Sequence, residues 1–441
     1  MKVLLAMLSS EPSSRYESVK DAPYAIGLGY IHSTLEKEGH EVKMLSLSNY
    51  GDEESEKIFF EAYNSFKPDM VGRSVFSSNR VATFKAVEKI KNARVVLGGI
   101  HVTVMYEQIL KKYPQVVAVI GEGERTVVEL LKAFEADLPL DTVRGIAYHK
   151  DGHSILTGER ELIQDLDTIP FSKHEVYFDP APTRTMAYLI TARGCPSKCS
   201  FCCLKIISKG KYRKRNVHKV MDEITALKLK YPRLKHVQLL DDTFLLDNAR
   251  VIELCKLIVG ADLGLTFGCI ARVKPISSEM FDWMAKAGFN RIEFGLETGS
   301  EKMLASIRKG ITRKDVLDLA AVLKPYRFCV NFLVMCGFPG ENDDTVRESV
   351  SFIQALQKEC YVRVNMIGKL EIFPGTEVYE IAKKAGFIDD EYWLTEKPVP
   401  FYTAEHSFQK LIEYENYILD RVSGERIFTL NGFIHHFLKM P

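Results

Sequence analysis

Residues 191–203, with the sequence TARGCPSKCSFCC, decide the fold of this 441-residue chain. They place Cys195, Cys199 and Cys202 in a CxxxCxxC pattern on one short segment, residues 194–203, called the cysteine loop below. Thiolates are soft ligands, and three of them this close together can surround one face of an iron–sulfur cluster. A cluster that only carries electrons usually has four protein ligands. The loop therefore predicts a [4Fe-4S] cluster with one iron left open for a substrate or a cofactor.

Two alternatives explain these cysteines without a cluster. A zinc site usually takes four ligands, commonly as two separated pairs, and no second pair follows nearby. The other alternative is a chance grouping of buried thiols. Cys203 would also complete a spaced trio with Cys195 and Cys199, but we prefer Cys202 as the third ligand and expect Cys203 to point elsewhere.

The composition favours an ordinary cytoplasmic protein. None of the nine cysteines lies in the first 194 residues, and an odd, clustered number is not typical of a secreted disulfide framework. A net charge of +1 gives no broad case for nucleic-acid binding, and no apolar run is long enough to span a membrane. We interpret the start, MKVLLAM, as a first strand rather than a signal peptide. The basic run of residues 205–219 is interpreted as a loop, in which Arg213 or Arg215 is a candidate contact for an anionic cofactor group.

The pattern of apolar runs divides the chain into four segments. Residues 1–150 alternate strands such as KVLLAML with amphipathic helical stretches, which predicts a doubly wound, Rossmann-like α/β domain. Residues 151–185 read as a polar linker. Residues 186–387 hold about six strand–helix units, too few for an eight-unit barrel, so we predict a partial (β/α)6 barrel. Residues 388–441 are predicted to be mainly helical, and to cap the barrel and the substrate site.

Small and polar residues follow the predicted strands of the first segment. Ligands of doubly wound sheets bind beyond the carboxyl ends of the strands, and small residues there let a large ligand approach the backbone. The candidate binding residues are Ser74, Ser77, Gly98, Gly99, His101, Gly121 and Glu122.

The segment GCPSKCSFC, at the end of the first barrel strand, resembles the signature of the radical S-adenosylmethionine superfamily. The resemblance implies that the cysteines hold a [4Fe-4S] cluster, that S-adenosylmethionine chelates the open iron, and that its cleavage yields a 5′-deoxyadenosyl radical. Five further segments match in order: LLDDTFLLD, CIAR, FGLETGSEKML, FLVMCGFPGE and LEIFPGT. Singly, each also reads as an ordinary acidic turn, helix start or strand end. Together they imply S-adenosylmethionine contacts at Asp241, Asp242, Arg272, Glu297, Asn331, Gly337 and Phe373.

The first segment resembles a cobalamin-binding domain through APYAIGLGYIHSTLEKEGHEV, PDMVGRSVFSS, VVLGGIHVT and IGEGERTVVELL. With the barrel, this resembles the cobalamin-dependent radical S-adenosylmethionine enzymes over about residues 1–390, which implies that the candidate residues above contact cobalamin. The sequence DxHxxG, which supplies a histidine ligand to cobalt in other cobalamin proteins, is absent. His101 lies in a different loop, and this radical branch commonly lacks that histidine.

The resemblance implies a methyltransferase that acts on a small molecule. The deoxyadenosyl radical would remove a hydrogen atom from an unactivated carbon, which would then take a methyl group from methylcobalamin. An electron donor such as flavodoxin or ferredoxin is implied as a partner. The alternative is a radical dehydratase, cyclase or epimerase whose first domain is vestigial and binds no cobalamin. A regulator without catalysis is disfavoured, because the full set of cofactor motifs is present.

Overall fold

Two seven-stranded sheets organise the chain. The computed structural model describes residues 1–8, 25–47, 50–179, 183–360, 362–364 and 367–422. The first sheet has the strand order β2-β1-β3-β4-β5-β6-β7. Its strands are β1 (Lys2–Met7), β2 (Glu41–Ser46), β3 (Met70–Ser74), β4 (Arg94–Gly98), β5 (Val116–Val119), β6 (Ile146–Lys150) and β7 (His153–Leu156). The helices of this part are α1 (Ile26–Lys37), α2 (Asp52–Phe66), α3 (Arg80–Lys89), α4 (Ile100–Lys112) and α5 (Glu124–Glu135).

The first five strands form a doubly wound sheet, as predicted. They pair in parallel, and β1 and β5 are buried on both faces because helices cover both sides of the sheet. The strand order reverses between β1 and β3, so the carboxyl ends of these strands mark the expected ligand crevice.

A β-hairpin extends this sheet beyond the predicted domain. β6 and β7 join it antiparallel, although residues 151–185 were expected to be linker. The short strand β7 is half exposed and carries no continuous apolar run, which explains why the sequence did not indicate it. The expected boundary at residue 150 thus falls inside the hairpin.

The second sheet is a partial barrel with six strand positions, as predicted. Its order is β15-β14-β13-β12-β11-β8, and β16 also pairs with β14. All these pairs are parallel. The strands are β8 (Met186–Leu189), β11 (His236–Leu239), β12 (Thr266–Ala271), β13 (Phe289–Glu297), β14 (Cys329–Cys336), β15 (Val362–Arg363) and β16 (Ile367–Lys369). Since β15 and β16 pair with successive parts of β14, they form one interrupted sixth strand.

A two-stranded hairpin frames the cysteine loop. Its strands are β9 (Ala192–Arg193) and β10 (Arg213–Lys214), which pair antiparallel on either side of the loop. The remaining helices are α6 (Glu175–Phe178), α7 (Leu204–Ser208), α8 (Val217–Lys230), α9 (Asn248–Ala261), α10 (Ser278–Lys286), α11 (Glu301–Ser306), α12 (Arg313–Leu323), α13 (Asp343–Glu359), α14 (Glu377–Lys384) and α15 (Phe408–Val422). No helix in the described part of the chain is both long and apolar enough to cross a membrane.

The C-terminal region packs on both domains. α15 buries Leu411, Tyr414, Ile418 and Val422 and lies against α13 and β16. The segment before it docks on the first domain, where Arg80 Nε donates to the carbonyl of Trp393 at 3.1 Å. The predicted mainly helical ending is confirmed up to residue 422, and residues 423–441 of that prediction lie outside the described residues.

Candidate active site

The cysteine loop lies between the two domains and is anchored at its start and in its middle. Gly194 has φ +93°, and a Cβ there would collide with the carbonyl of Lys211, so the turn into the loop requires glycine. In the middle of the loop, Ser200 N donates to the carbonyl of Ile307 at 3.0 Å. The Ser200 carbonyl accepts from Glu377 N at 3.0 Å. The barrel therefore fixes the loop through its backbone.

The three thiols predicted as ligands are neighbours on this loop. Burial raises the pKa of Cys202 to about 12, and the charges of Cys203, Cys199 and Cys195 add to the rise. A bound cluster reverses this, because coordination to a cation deprotonates the thiol. The described residues contain no three Cys, His, Asp or Glu side chains that converge on one point. Ligands of a four-iron cluster each bind a different iron. Three thiols on one short loop, close enough for the charges of Cys195 and Cys199 to act on Cys202, are donors that fit such a cluster.

A cavity of about 440 Å³ lies between the domains and is called the interdomain cavity below. From the first domain it is lined by the carboxyl ends of β3, β4 and β5, and from the barrel by Arg193, Gly194, Cys203 and Asp242. Cys203 thus faces this cavity, while Cys195, Cys199 and Cys202 do not line it. One space therefore connects the end of the first sheet with the wall of the cysteine loop.

The lining of the interdomain cavity fits a large ligand that carries amide groups. Its surface is mainly apolar, and glycines leave the strand ends uncovered. Gly99 has φ +100°, and a Cβ there would lie 2.8 Å from the carbonyl of Val75. Tyr30 lines the cavity, and its buried hydroxyl has no hydrogen-bond partner among the residues that the structure describes. Because a buried polar group without a partner is costly, this hydroxyl is a candidate contact for the ligand. Cobalamin, with its ring of amide side chains, fits this description.

Five of the seven predicted cobalamin contacts line the interdomain cavity: Ser74, Gly98, Gly99, Gly121 and Glu122. Ser77 and His101 do not. The His101 Nδ1 lies 3.0 Å from Ser77 Oγ, and its ring packs edge-on against Trp393. Burial and the charge of Arg80 lower the pKa of His101 to about 3. α4 begins at Ile100, which faces the cavity, and one residue of helical rotation turns His101 to the far side.

Glu122 lines the cavity but is held in an ion-pair network between the domains. Its carboxylate accepts from Arg213 at 2.8 and 2.9 Å, from Arg193 at 3.2 Å and from Ile163 N at 2.9 Å. Burial alone would raise the pKa of Glu122, but the hydrogen bond from Arg213 and the charge of Arg193 lower it overall. Arg215, the other basic candidate, pairs with Glu223 at 2.6 Å. Both arginines thus hold carboxylates of the protein itself.

Asp241 and Asp242, at the end of β11, hold the strand that leads into the cysteine loop. Asp241 is buried and accepts from Thr191 N at 2.6 Å and from Thr191 Oγ1 at 2.5 Å. Asp242 accepts from Gly194 N at 2.6 Å and also lines the cavity. Burial raises the pKa of both carboxyl groups. Asp241 is therefore committed to the protein, whereas Asp242 also reaches the cavity.

Arg272 and Glu297 belong to a chain of contacts that starts at the cysteine loop. Arg272 Nη1 lies 3.7 Å from Cys199 Sγ, and Nη2 donates to the carbonyl of Lys309. The Lys309 ammonium donates to Glu297 Oε1 at 2.6 Å, and both side chains are buried. Glu297 has φ +69° where β13 ends in an irregular register. The structure thus joins two predicted S-adenosylmethionine contacts to a predicted cluster ligand.

Asn331, Gly337 and Phe373 lie on the next strands of the barrel. Asn331 is buried on β14, and Gly337, with φ +90°, follows the end of that strand. Gly337 N donates to Glu341 Oε2 at 2.5 Å. The carbonyl of Phe373, which follows β16, accepts from Thr376 Oγ1 at 2.7 Å. These positions remain predictions as S-adenosylmethionine contacts.

Sequence reasoning missed three residues of this region: Tyr30, Arg193 and Lys309. Lys309 follows the segment FGLETGSEKML by a few residues, so its position in the sequence could have indicated that it lies near the site. Arg193 directly precedes the cysteine loop, where a charged residue can serve either the site or the fold. Tyr30 lies in the segment APYAIGLGYIHSTLEKEGHEV, but the segment does not single it out, because its position in the cavity depends on the contact between two domains.

Fold and site together define an enzyme with two cofactor-binding α/β domains. The chain matches the B12 binding domain over residues 16–131 and the radical SAM superfamily over residues 189–353. It is therefore a radical S-adenosylmethionine enzyme with an N-terminal cobalamin-binding domain. A [4Fe-4S] cluster, S-adenosylmethionine and cobalamin are its cofactors.

Several known proteins are similar to this chain. The chain is 28% identical to the uncharacterized methyltransferase PH0819 of Pyrococcus horikoshii, over 98% of this chain and 96% of the relative. It is 30% identical to an anaerobic magnesium-protoporphyrin IX monomethyl ester cyclase of Rubrivivax gelatinosus, over 67% of this chain and 56% of the relative. The solved structure of the radical S-adenosylmethionine methyltransferase TsrM from Kitasatospora setae matches with a TM-score of 0.72 and 19% identity, over 98% of this chain and 84% of TsrM. The last likeness supports the fold.

Proposed function

We propose that this enzyme methylates an unactivated carbon of a small molecule, with cobalamin as the methyl carrier. The observation that carries the proposal is the interdomain cavity, which is lined both by the carboxyl ends of the first sheet and by the hairpin of the cysteine loop. When bound, the cluster with S-adenosylmethionine supplies hydrogen-atom abstraction, and cobalamin supplies a methyl group. Hydrogen-atom abstraction and methyl transfer would then take place in the same cavity.

The residues of the chain would position these groups and exclude water. We assign Cys195, Cys199 and Cys202 as cluster ligands. Asp242 holds the start of their loop through Gly194 N, at 2.6 Å. The apolar lining of the cavity keeps water away from radical species. Positioning of this kind accounts for much of the protein's share in cofactor chemistry.

Methyl transfer is supported by the relative that matches over nearly its full length, which is named a methyltransferase. The test is anaerobic reconstitution with iron, sulfide and hydroxocobalamin, followed by incubation with candidate metabolites, a reductant and S-adenosylmethionine deuterated in its methyl group. We expect a product that has gained the labelled methyl group, together with 5′-deoxyadenosine. A purified enzyme that binds no corrin would overturn the proposal.

A second candidate is ring closure or another radical rearrangement without methyl gain. The similarity to the cyclase of Rubrivivax gelatinosus favours it. The same incubation separates the two, because a rearrangement gives deoxyadenosine and a product that carries no labelled methyl group. In both cases we propose a small protein electron donor, such as flavodoxin or ferredoxin, to reduce the cluster.

A further inference from the structure

Arg272 contacts a cysteine that we assign as a ligand of the cluster. It follows the last residue of β12, and its Nη1 lies 3.7 Å from Cys199 Sγ. This is within the range of a hydrogen bond to sulfur. The resemblance implied that Arg272 contacts S-adenosylmethionine, but the structure directs one of its nitrogens at a thiol.

The guanidinium is held in this position from its other side. Its Nη2 donates to the carbonyl of Lys309. The same nitrogen lies beside Gly310, so that a Cβ added to this glycine would be 3.7 Å from it. The side chain of Lys309 is in turn fixed by Glu297 at 2.6 Å, with both side chains buried. A donor fixed in this way keeps its direction when the cluster changes charge.

The charge of Arg272 is not neutralised locally. Within the described ranges, the structure gives Arg272 no carboxylate at ion-pair distance. The Lys309 ammonium, by contrast, is balanced by Glu297. Arg272 therefore presents a full positive charge and an N–H donor to the sulfur of Cys199.

We propose that Arg272 raises the reduction potential of the cluster through this contact with Cys199. Reduction adds one electron to the cluster, and the added negative charge is shared by its sulfurs. Hydrogen bonds to the sulfurs and nearby positive charge stabilise the reduced form, and they are among the determinants of cluster potential. Arg272 would make the cluster easier to reduce before S-adenosylmethionine is cleaved.

The test is a potentiometric titration of the reconstituted enzyme without S-adenosylmethionine, read by the EPR signal of the reduced cluster. In Arg272→Gln we expect iron content close to that of the wild type and a potential shifted to more negative values. Arg272→Lys keeps a positive charge on a shorter side chain and should shift the potential less than Arg272→Gln does. Lys274→Gln is the matched control, since it removes a positive charge two residues away that is half exposed and paired with Asp315. It should leave the potential unchanged.

An unchanged potential in Arg272→Gln overturns the inference, and so does an equal shift in Lys274→Gln. If Arg272→Gln cannot hold the cluster, the comparison is made with Arg272→Lys, whose unchanged potential would overturn it. Weaker binding of S-adenosylmethionine at an unchanged potential would make Arg272 a contact for that molecule instead. The inference rests on the proposed cluster ligands. Wild-type enzyme that shows no cluster signal contradicts that assignment, whereas a normal signal with no shift in the variants contradicts this inference alone.

Discussion

The carboxylate of Glu122 accepts two hydrogen bonds from the guanidinium of Arg213, at 2.8 and 2.9 Å, across the boundary between the two domains. Glu122 follows β5 of the first sheet, and Arg213 lies on the hairpin that frames the cysteine loop. Both side chains are almost fully buried. The pair therefore ties the wall of the interdomain cavity to the segment that carries the proposed cluster ligands.

Glu122→Gln should destabilise the folded enzyme strongly. The substitution leaves the buried charge of Arg213 without its partner, and breaking a buried ion pair in this way costs about 3–5 kcal/mol. The measurement is urea unfolding of the cofactor-free protein. Glu129→Gln is the control, because Glu129 pairs with Arg160 but is 47% exposed, and pairs of that kind contribute at most about 1 kcal/mol. Equal losses in the two variants would contradict the importance assigned to the interdomain pair.

Cys199→Ala should abolish the cluster, while Cys203→Ala should keep it. The first substitution removes one of three proposed ligands, and the second removes a thiol that lines the interdomain cavity instead. We expect the iron and sulfide content and the formation of 5′-deoxyadenosine to fall to background in Cys199→Ala. Both should stay near wild-type values in Cys203→Ala. Full iron content in Cys202→Ala would show that Cys203 is the third ligand.

The order of the barrel segments could be predicted from sequence because each motif directly follows an apolar strand. Asp242, Arg272 and Gly337 all lie just beyond the carboxyl ends of strands, and parallel pairing brings such ends to one edge. The glycine positions Gly98 and Gly99 were predictable for the same reason. The place of a residue after an apolar strand therefore predicts the edge of the sheet at which it lies.

The partner of each side chain could not be predicted, because it depends on contacts between distant segments. The carboxylate of Asp241 accepts hydrogen bonds from Thr191, which lies fifty positions earlier in the chain. His101 faces away from the cavity because it is the second residue of α4. A helix that began one residue earlier or later would turn a different side chain to the cavity, and helix starts cannot be predicted from sequence to one residue. Glu122 was predicted as a ligand contact, and the sequence did not indicate that Arg213, from the other domain, pairs with it.

Glu341 should make the stability of the protein depend on pH. Burial raises the pKa of its carboxyl group from 4.5 to about 7, although the N–H groups of Gly337 and Phe338 oppose the rise. Between these two pH values the folded state binds more protons than the unfolded state, so stability falls as the pH rises. The full change corresponds to about 3 kcal/mol.

The measurement compares the free energy of unfolding of the wild type and Glu341→Gln from pH 4.5 to pH 8. Glutamine can accept the same backbone hydrogen bonds but does not titrate. We expect the stability of the wild type relative to the variant to decline across this range and to level off above the raised pKa. A constant difference between the two proteins would show that Glu341 does not titrate as inferred.

Tyr30→Phe should weaken the binding of cobalamin without harming the fold. Tyr30 lines the interdomain cavity, and its buried hydroxyl has no partner within the described residues. Its removal deletes no hydrogen bond of the protein, so the cofactor-free variant should be at least as stable as the wild type. A hydrogen bond to the ligand contributes about 1 kcal/mol, which predicts about fivefold weaker binding of hydroxocobalamin, measured by absorbance titration.

Gly98→Leu serves as a positive control because its side chain would extend into the cavity, whereas Gly98→Ala would meet Val119 only at the ordinary distance of 3.6 Å. If Tyr30→Phe binds cobalamin as tightly as the wild type while Gly98→Leu does not, cobalamin occupies the cavity without using the hydroxyl of Tyr30.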